Sequence, residues 1–312
     1  MKPFRFGATV AATGTRAAWA DTVRAVASAG FDVLTVMDHF TSGGIWGPLV
    51  AAHEIAPSLR LGTIVLNGDL WNPSILAREA ATVDRLTDGA LELGIGAGWD
   101  LRDYAAAGVE REPAKVRIAR LAESLQIIRS ALAGEHVQLA GEHRTVDGGE
   151  PWPPAAQSRL PILVGGGARP ILELAARTAD IVSVHRNLDQ GVAASWSADL
   201  DPTGRFSRAV DERIGWVRAA AGDRFDALEL HAILLKVAVT DRRDEVAAEL
   251  AENHALPAEA ILASPHYLIG TIDEIADDLV ARRERWGISY WTLVAGNDLA
   301  AFAPIAARVA GR

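Results

Sequence analysis

The chain has 312 residues, of which 49% are hydrophobic and 23% are charged, a composition typical of a soluble globular enzyme. Its formal net charge of −9 argues against a nucleic-acid partner, because binding to a phosphate backbone requires clustered Lys and Arg. Cysteine is absent, which excludes disulfides and thiolate chemistry, and no apolar stretch approaches the ~20 residues of a membrane span, so we expect a cytoplasmic protein.

Hydrophobic periodicity and turn residues predict four strand–helix units in the first part of the chain. The predicted strands are Phe4–Val10, Val33–Met37, Leu61–Leu66 and Leu91–Ile95, and the predicted helices are Ala17–Ala29, Pro48–Ala56, Pro73–Leu86 and Lys115–Ala133. Asn72 is a typical N-cap residue for the third helix, and Pro73 suits its first position. Residues 137–146 alternate around Gly141, which predicts a small hairpin inserted at about 135–150.

Four more units are predicted in the second part of the chain. The strands are Pro161–Val164, Ile181–Val184, Leu228–Val239 and Tyr290–Val294, and the helices include Ala209–Ala221, Arg243–Glu252, Ile272–Trp286 and Leu299–Val309. Continuous runs of Val, Ile and Leu indicate parallel strands that are covered on both faces. Eight such units fit a closed barrel better than an open sheet with hydrophobic edges. We predict an α/β fold, a (β/α)8 TIM barrel in a single domain over 1–312, with an insertion or lid at about 186–208.

Glycines follow the fourth and fifth predicted strands, in LELGIGAGWD (91–100) and PILVGGGARP (161–170). The first pattern is G-x-G-x-G in the fourth unit, whereas a dinucleotide fingerprint is G-x-G-x-x-G in the first unit. Gly96 and Gly98 form a tight turn, or they leave the backbone bare for a flat ligand. The run Gly165–Gly167 precedes Ala168-Arg169 and a helix, where backbone N–H groups are a natural phosphate cradle. Both clusters lie at the catalytic face of such a barrel, so together they predict a cofactor site.

Histidines supply the other candidates for chemistry. Asp38 and His39 end the second strand, where they cap their own loop or, alternatively, exchange protons with a ligand. His185 ends the sixth strand. The eight histidines form neither H-x-H nor H-E-x-x-H, and no serine lies in G-x-S-x-G. Metal and acyl-transfer chemistry are therefore disfavoured, and we predict no metal site.

Several runs of sequence, taken in order, resemble the bacterial-luciferase-like superfamily, and more closely its branch that uses the deazaflavin coenzyme F420. The runs are MDHF (37–40), RLGTIVL (60–66), the segment 71–108, VRIARLAESLQIIRSAL (116–132), PILVGGGA (161–168), ADIVSV (179–184) and LIGTIDEIADDL (268–279). Their order and spacing cover essentially the whole chain. The resemblance implies a (β/α)8 barrel with an insertion, a cofactor at the C-terminal mouth and, usually, a homodimer.

The resemblance also implies roles for individual residues. His39 would handle a proton beside the deazaflavin, with Asp38 fixing its tautomer. A cis peptide bond between Ile64 and Val65 would support the ring from behind, and the glycine run of the fifth strand would receive the phosphate. We therefore predict Asp38 and His39 as catalytic residues. The predicted cofactor-binding residues are Ile64, Val65, Asn67, Gly96, Gly98, Trp99, Gly165, Gly166, Gly167, Ala168, Arg169 and His185.

One position departs from the sugar-phosphate dehydrogenases of this branch. These enzymes place a glutamate directly after the glycines of the fourth strand, as general acid, whereas this chain has Trp99 there, which argues against that activity. The leading hypothesis is an F420-dependent oxidoreductase that moves a hydride between the deazaflavin and a small organic substrate. A reduced-FMN monooxygenase on the same barrel stays open, as does a non-catalytic protein that binds a flavin or deazaflavin.

Overall fold

Thirteen strands are found in the computed structural model, which describes residues 1–148, 152–188, 207–253, 256–294 and 296–310. In chain order the strands are β1 Arg5–Val10, β2 Val33–Val36, β3 Arg60–Thr63, β4 Leu66–Asn67, β5 Leu91–Gly96, β6 Gln138–Ala140, β7 Thr145–Asp147, β8 Ile162–Gly166, β9 Ile181–Val184, β10 Glu229–Leu234, β11 Lys236–Val239, β12 Tyr267–Gly270 and β13 Ile288–Leu293. Nine of these strands form one parallel sheet in the order β3-β2-β1-β13-β10-β9-β8-β5-β4.

That sheet closes on itself. Strand β3 pairs with β5 as well as with β2, through Leu61 opposite Leu91, and so joins the two ends of the sheet. The short β4 continues the third strand of the barrel and pairs with β5 through Leu66 opposite Ile95. Eight parallel barrel strands result, and the predicted (β/α)8 fold is confirmed.

Helices surround the barrel, and some of them begin at side-chain caps. They are α1 Arg16–Ser28, α2 Trp46–Ile55, α3 Pro73–Leu86, α4 Leu101–Ala107, α5 Ala114–Leu132, α6 Arg169–Thr178, α7 Ser207–Ala221, α8 Arg243–Glu252, α9 Ala258–Ala263, α10 Ile272–Trp286 and α11 Leu299–Val309, with a 3₁₀ turn at Gly222–Ala227. The Asn72 side chain accepts from the N–H groups of Ser74 and Ile75, as predicted for α3. Thr271 and Glu274 form a reciprocal capping box at the start of α10.

The apolar core lies between the barrel and its helices. Alternate residues of each strand face outward, so that Phe6, Ala8 and Val10 of β1 are buried against the helical layer. Residues at intervening positions face the barrel axis, and many of them are small or polar. Full burial of one large apolar side chain contributes about 1.5–3 kcal/mol, so this layer supplies most of the driving force for folding.

The barrel interior is held together by hydrogen bonds between side chains of neighbouring strands. Thr9 and Thr35 are joined through their Oγ1 atoms at 2.8 Å. His231 is joined to Ser183 Oγ through Nδ1 at 2.8 Å and to Thr292 Oγ1 through Nε2 at 2.9 Å. Burial lowers the pKa of His231 to about 3, so this histidine is neutral at physiological pH. Polar pairs of this kind lie in the interior beside a small apolar cluster of Val33, Leu163, Ile181 and Tyr290.

Two predicted strands differ from those observed. The third is broken into β3 and β4 by residues 64–65, and the seventh, predicted as Leu228–Val239, is two strands. Only β10 belongs to the barrel, because β11 leaves it and pairs in parallel with β12. The sequence does not reveal such a departure, because the apolar residues of β11 continue the run that begins in β10. Strand β12 and the helices α4 and α9 were not predicted.

The two predicted insertions have different outcomes. Strands β6 and β7 pair antiparallel, Gln138 opposite Asp147, within the segment predicted as a hairpin. The predicted lid at 186–208 falls mostly on residues 189–206, which lie outside the described residues. Within the described part of the chain, none of the helices is both long enough and apolar enough to span a membrane.

Candidate active site

The candidate site lies at the C-terminal mouth of the barrel, around the loops that follow β2, β4, β5 and β8. Catalytic residues of such barrels come from this face, because all the strands point towards it. Asp38 and His39 follow β2 directly, and Asn67 ends β4. Strand β5 pairs with β4 on one side and with β8 on the other, so the two glycine-rich strand ends are neighbours.

His39 is bound by a carboxylate from another part of the chain. Its Nδ1 atom lies 2.6 Å from Oδ2 of Asp103, which is buried on α4. The other oxygen, Oδ1, accepts from the backbone N–H of Phe40 at 3.3 Å. The prediction that Asp38 fixes the tautomer of His39 is therefore wrong, because Asp103 occupies that position. The rings of His39 and Trp99 make an edge contact, with their centroids 5.9 Å apart.

Asp38 instead ties the second barrel strand to the third. Its Oδ2 atom accepts from the backbone N–H of Asn67 at 2.9 Å and from Nε1 of Trp71 at 2.8 Å. The Trp71 ring in turn meets the Trp46 ring edge-on, with centroids 5.9 Å apart. These hydrogen bonds fix the loop after β2 to the loop after β4. Among the described residues, Asp38 makes no hydrogen bond with His39.

The peptide bond between Ile64 and Val65 is cis, at the position where the resemblance places one. The Val65 side chain lies over glycines of the two adjacent strands. A Cβ atom added at Gly96 would lie 3.0 Å from Val65 Cγ2, and one added at Gly94 or Gly165 would lie 3.3 or 3.7 Å from Val65 Cγ1. Gly96 has no positive φ and belongs to β5, so a tight turn does not explain it. The missing side chain of Gly96 therefore makes room for Val65, whereas Gly94 is required by the Thr63 carbonyl oxygen and Gly165 only lies near Val65, whose side chain forms an apolar floor over these strands.

The other glycines are required by the protein's own packing. Gly98 has a φ of 77°, and a side chain there would collide with the Asn67 amide and the Tyr104 hydroxyl. A Cβ at Gly166 would collide with Ile171, and one at Gly167 would collide with the backbone of Arg186. The expectation that both glycine clusters simply leave bare backbone for a ligand is therefore corrected. Gly165 and Gly166 also lie within β8, not after it.

A buried network that was not predicted supports this rim. Asp69 accepts from the Tyr104 hydroxyl at 3.0 Å and is paired with Arg120, and its own N–H donates to Asn67 Oδ1 at 3.2 Å. Burial and the neighbouring Asp69 raise the pKa of Tyr104 to about 12. Arg117 donates to the carbonyl of Ala97 at 3.0 Å and to that of Gly98. The loop after β5 is thus fixed from both sides.

The remaining predicted residues lie elsewhere around the mouth. Ala168 caps α6 without a side-chain hydrogen bond, and Arg169 is exposed and paired with Glu173 at 2.7 Å. His185 follows β9, on the opposite side of the barrel from β2. Its Nδ1 lies 3.2 Å from its neighbour's carbonyl oxygen, its ring lies 5.0 Å from that of His266, and burial lowers its pKa to about 3. It is a neutral side chain directed into its own loop.

One group of side chains of the metal-ligand type occurs among the described residues, formed by His39, Asp100 and Asp103, whose ligand atoms lie within 4.8 Å of one another. Asp100 already has partners, because it caps α4 through the N–H of Arg102 at 2.9 Å and is bound by that guanidinium at 2.5 Å. These hydrogen bonds with the Arg102 side chain hold the pKa of Asp100 below its ordinary value. His39 and Asp103 are joined at hydrogen-bond distance.

The amino-acid sequence is similar to proteins of a known family. The sequence profile of the luciferase-like monooxygenase family matches residues 1–290. A protein of Mycolicibacterium smegmatis called F420-dependent glucose-6-phosphate dehydrogenase is 32% identical over 165 residues, which are 49% of this chain and 48% of that protein. The chain thus matches about half the length of such curated relatives.

Solved structures give a match over nearly the full chain. The coenzyme F420 dependent tetrahydromethanopterin reductase from Methanopyrus kandleri superposes with a TM-score of 0.75, at 16% identity, over 98% of both chains. A monooxygenase from Streptomyces bottropensis gives a TM-score of 0.70, at 19% identity, over 98% of this chain and 96% of that one. At such identities these structures support the fold alone. With the profile match extending over most of its length, the chain belongs to the luciferase-like monooxygenase family.

Proposed function

We propose that the protein is an F420-dependent oxidoreductase that transfers a hydride between the deazaflavin and a small organic substrate. The observation that carries this proposal is His39, held through Nδ1 by Asp103 at the edge of a floor made by Val65 and glycines. Membership of a redox family agrees with it, as do curated relatives named as F420-dependent dehydrogenases. The cofactor would supply the redox chemistry, and the protein orientation and proton transfer.

The residues present fit a flat, phosphorylated group. Val65 offers an apolar surface over Gly96 and Gly165, against which a planar ring would pack. The turn from Gly167 into α6 ends in a helix N-terminus whose cap is not made by a side chain, and backbone N–H groups of this kind bind phosphate. Arg169 at the same turn is exposed, and it would meet the acidic tail of F420. His39 would accept a proton at Nε2 and release it again.

The substrate we propose is not a sugar phosphate. Trp99 stands where the sugar-phosphate dehydrogenases of this branch have a glutamate, and its ring lies against His39. An indole N–H donates but has no labile acidic proton, so it cannot replace a carboxylic acid as general acid. Glucose 6-phosphate is therefore the informative negative substrate, to be compared with neutral alcohols and ketones.

The cofactor is tested by titrating the purified protein with F420 and with FMN, following the fluorescence of each. We expect F420 to bind at least tenfold more tightly than FMN, and F420 absorbance to change on addition of a substrate from the neutral panel. Tight FMN binding together with oxygen consumption in the presence of a flavin reductase would favour the monooxygenase alternative, whose fold the Streptomyces bottropensis enzyme shares.

The non-catalytic alternative, the oligomeric state and the cellular location each have a separate test. Tight F420 binding without turnover across a broad panel would support a non-catalytic binding protein. The homodimer implied by the resemblance is part of our proposal, and sedimentation velocity at micromolar concentration tests it, with a single monomeric species as the contradicting result. Cell fractionation tests the predicted cytoplasmic location.

A further inference from the structure

We infer that Asp103 is the positioning residue of the site, and that it fixes His39 as the tautomer with its proton on Nδ1 and its lone pair on Nε2. The inference rests on the proposed function only for its effect on turnover, because the tautomer is a property of the protein alone. Sequence order gives no hint of this pair, since the two residues are 64 positions apart.

The hydrogen bonds of Asp103 determine the direction of each proton. A carboxylate accepts hydrogen bonds and donates none. Oδ1 accepts from the Phe40 N–H, which is always a donor, and Oδ2 lies 2.6 Å from His39 Nδ1. The proton between them therefore belongs to the imidazole. Histidine tautomers are generally set in this way, by the hydrogen bond that the second nitrogen makes.

The second nitrogen of His39 is left for a ligand. Among the described residues no hydrogen bond is made to Nε2, and 28% of the side chain is exposed. The Asp103 carboxylate is buried on the first turn of α4, so it binds the His39 ring on the side that faces the protein. A proton acceptor is thus presented at the C-terminal mouth of the barrel, beside Trp99.

Helix α4 exists in this position because its start is anchored. Asp100 caps it and is bound by the Arg102 guanidinium, which leaves the Asp103 carboxylate free to reach the loop after β2. Asp100 is a matched control, because it is a second carboxylate in the same cluster that makes no hydrogen bond with His39 in the structure. Asparagine is also a good N-cap, so Asp100→Asn preserves the helix start.

The substitution Asp103→Asn should reverse the tautomer of His39. The Phe40 N–H still requires an acceptor, so the asparagine Oδ1 faces Phe40 and its NH₂ group faces His39. An NH₂ group donates, and His39 Nδ1 must then accept, which moves the ring proton to Nε2. The geometry is preserved and the lone pair at the mouth is lost. Asp103→Ala, by contrast, removes both hydrogen bonds and lets either tautomer form.

The test is ¹⁵N NMR of the histidine rings in the full chain, in the presence of EDTA, with His39→Gln used to assign the signal. We expect the proton on Nδ1 in the wild type and in Asp100→Asn, and on Nε2 in Asp103→Asn. A proton that stays on Nδ1 in Asp103→Asn would overturn the inference, whether or not F420 binds.

Turnover supplies the second measurement. We expect Asp103→Asn to lower kcat by about 100-fold or more, as for loss of a general base, with F420 affinity changed less than about threefold. If Asp103 merely held the loop, Asp103→Ala would be worse than Asp103→Asn, because asparagine keeps both contacts. We expect the opposite order, or equal losses. A changed tautomer with unchanged kcat would contradict the positioning role, whereas absence of wild-type turnover would contradict only the proposed function.

Discussion

The two ends of the barrel differ in the groups that bind their carboxylates. At the N-terminal end Glu92 pairs with Arg5 and, at 2.6 Å, with Arg60, while Glu229 pairs with Arg5 at 2.6 Å. At the C-terminal mouth Asp38 and Asp103 accept hydrogen bonds from backbone N–H groups, an indole and a histidine. Arginine keeps its charge at every relevant pH, whereas histidine exchanges a proton.

Because of this difference, we expect the N-terminal end to contribute to stability and the mouth to contribute to the reaction. At the N-terminal end fixed charges compensate each other, and the Arg5 guanidinium also lies 4.5 Å from the centre of the Tyr290 ring. Burial raises the pKa of Tyr290 well above its ordinary value, so this group does not titrate near neutral pH. At the mouth, the His39 imidazole is bound by a carboxylate through Nδ1 and is 28% exposed, so its other ring nitrogen is available to a ligand. We expect substitutions at the two ends to affect different measurements.

The largest expected effect is that of His39→Ala on turnover. Removing the group that exchanges a proton should lower kcat by about 100- to 10,000-fold. F420 affinity should change by less than about threefold, since a planar ring is held mainly by packing. The free energy of unfolding should fall by about 1 kcal/mol, because the buried Asp103 carboxylate loses its hydrogen bond to Nδ1 although His39 itself is partly exposed. Steady-state kinetics, F420 titration and urea denaturation measure the three quantities, and unchanged turnover would remove His39 from the mechanism.

At the opposite end Glu92→Gln should reduce stability and leave turnover intact. It leaves Arg5 and Arg60 without the carboxylate that they share, and breaking such a buried pair costs about 2–4 kcal/mol when the arginines still reach solvent. Glu229→Gln is the matched variant. Within the described part of the chain the Glu229 carboxylate is paired with Arg5 alone, and burial raises its pKa, which means that its charge is less well compensated. We therefore expect a smaller loss there by urea denaturation. A kcat reduced tenfold in folded Glu92→Gln would contradict the separation of the two ends.

Gly98→Ala should lower both the free energy of unfolding and the affinity for F420. The backbone there has a φ of 77°, and the new methyl group would collide with the Asn67 amide and the Tyr104 hydroxyl, so we expect a loss of about 1–3 kcal/mol in the free energy of unfolding. F420 affinity should fall as well, because Asn67 ends the strand beside Val65. Gly215→Ala on α7 is the control, because among the described residues no atom outside its own helical backbone and its chain neighbours lies within 4 Å of the added Cβ, and we expect a gain of about 0.4–1 kcal/mol. Equal effects of the two substitutions would show that the rim is not tightly packed.

The sequence was a good guide to the barrel and a partial guide to its mouth. Strands buried on both faces are continuous apolar runs, and capped helices such as α3 and α10 are marked at both ends, so these elements could be predicted. The departure of β11 could not, because its partner β12 lies far along the chain. A pairing of that kind depends on tertiary packing.

Asp38 and His39 could be located from sequence because they follow a predicted strand directly. Asp103 could not, because α4 has only seven residues and too few turns for an apolar period to appear. One local signal was present: Asp100 is a good N-cap residue after the glycines of β5, and it places Asp103 in the first turn of a helix at the catalytic face. The partner of Asp103 could be identified only from the closed barrel.

The smallest expected effect concerns the pH dependence of stability at the N-terminal end. Burial raises the pKa of Asp180, but the Ile162 N–H and the guanidinium groups of Arg129 and Arg159 outweigh burial, so the pKa lies below its ordinary value. A carboxyl group with a lowered pKa in the folded state stabilises the protein above its unfolded pKa of ~3.9, and this contribution is lost as the pH falls through the folded value.

We therefore expect Asp180→Asn to reduce the free energy of unfolding by about 1 kcal/mol or less at pH 7, and by less near pH 3. Urea denaturation at the two pH values measures the difference, with Asp21→Asn as control, since Asp21 belongs to an exposed ion pair with Arg24 that is worth little at either pH. F420 affinity at pH 7 should be the same in both variants and the wild type, because Asp180 precedes β9 at the end remote from the mouth. A difference in stability that persists at pH 3 would mean that the Asp180 side chain acts through its shape and packing, and the N-terminal end could then no longer be described as a set of compensated charges.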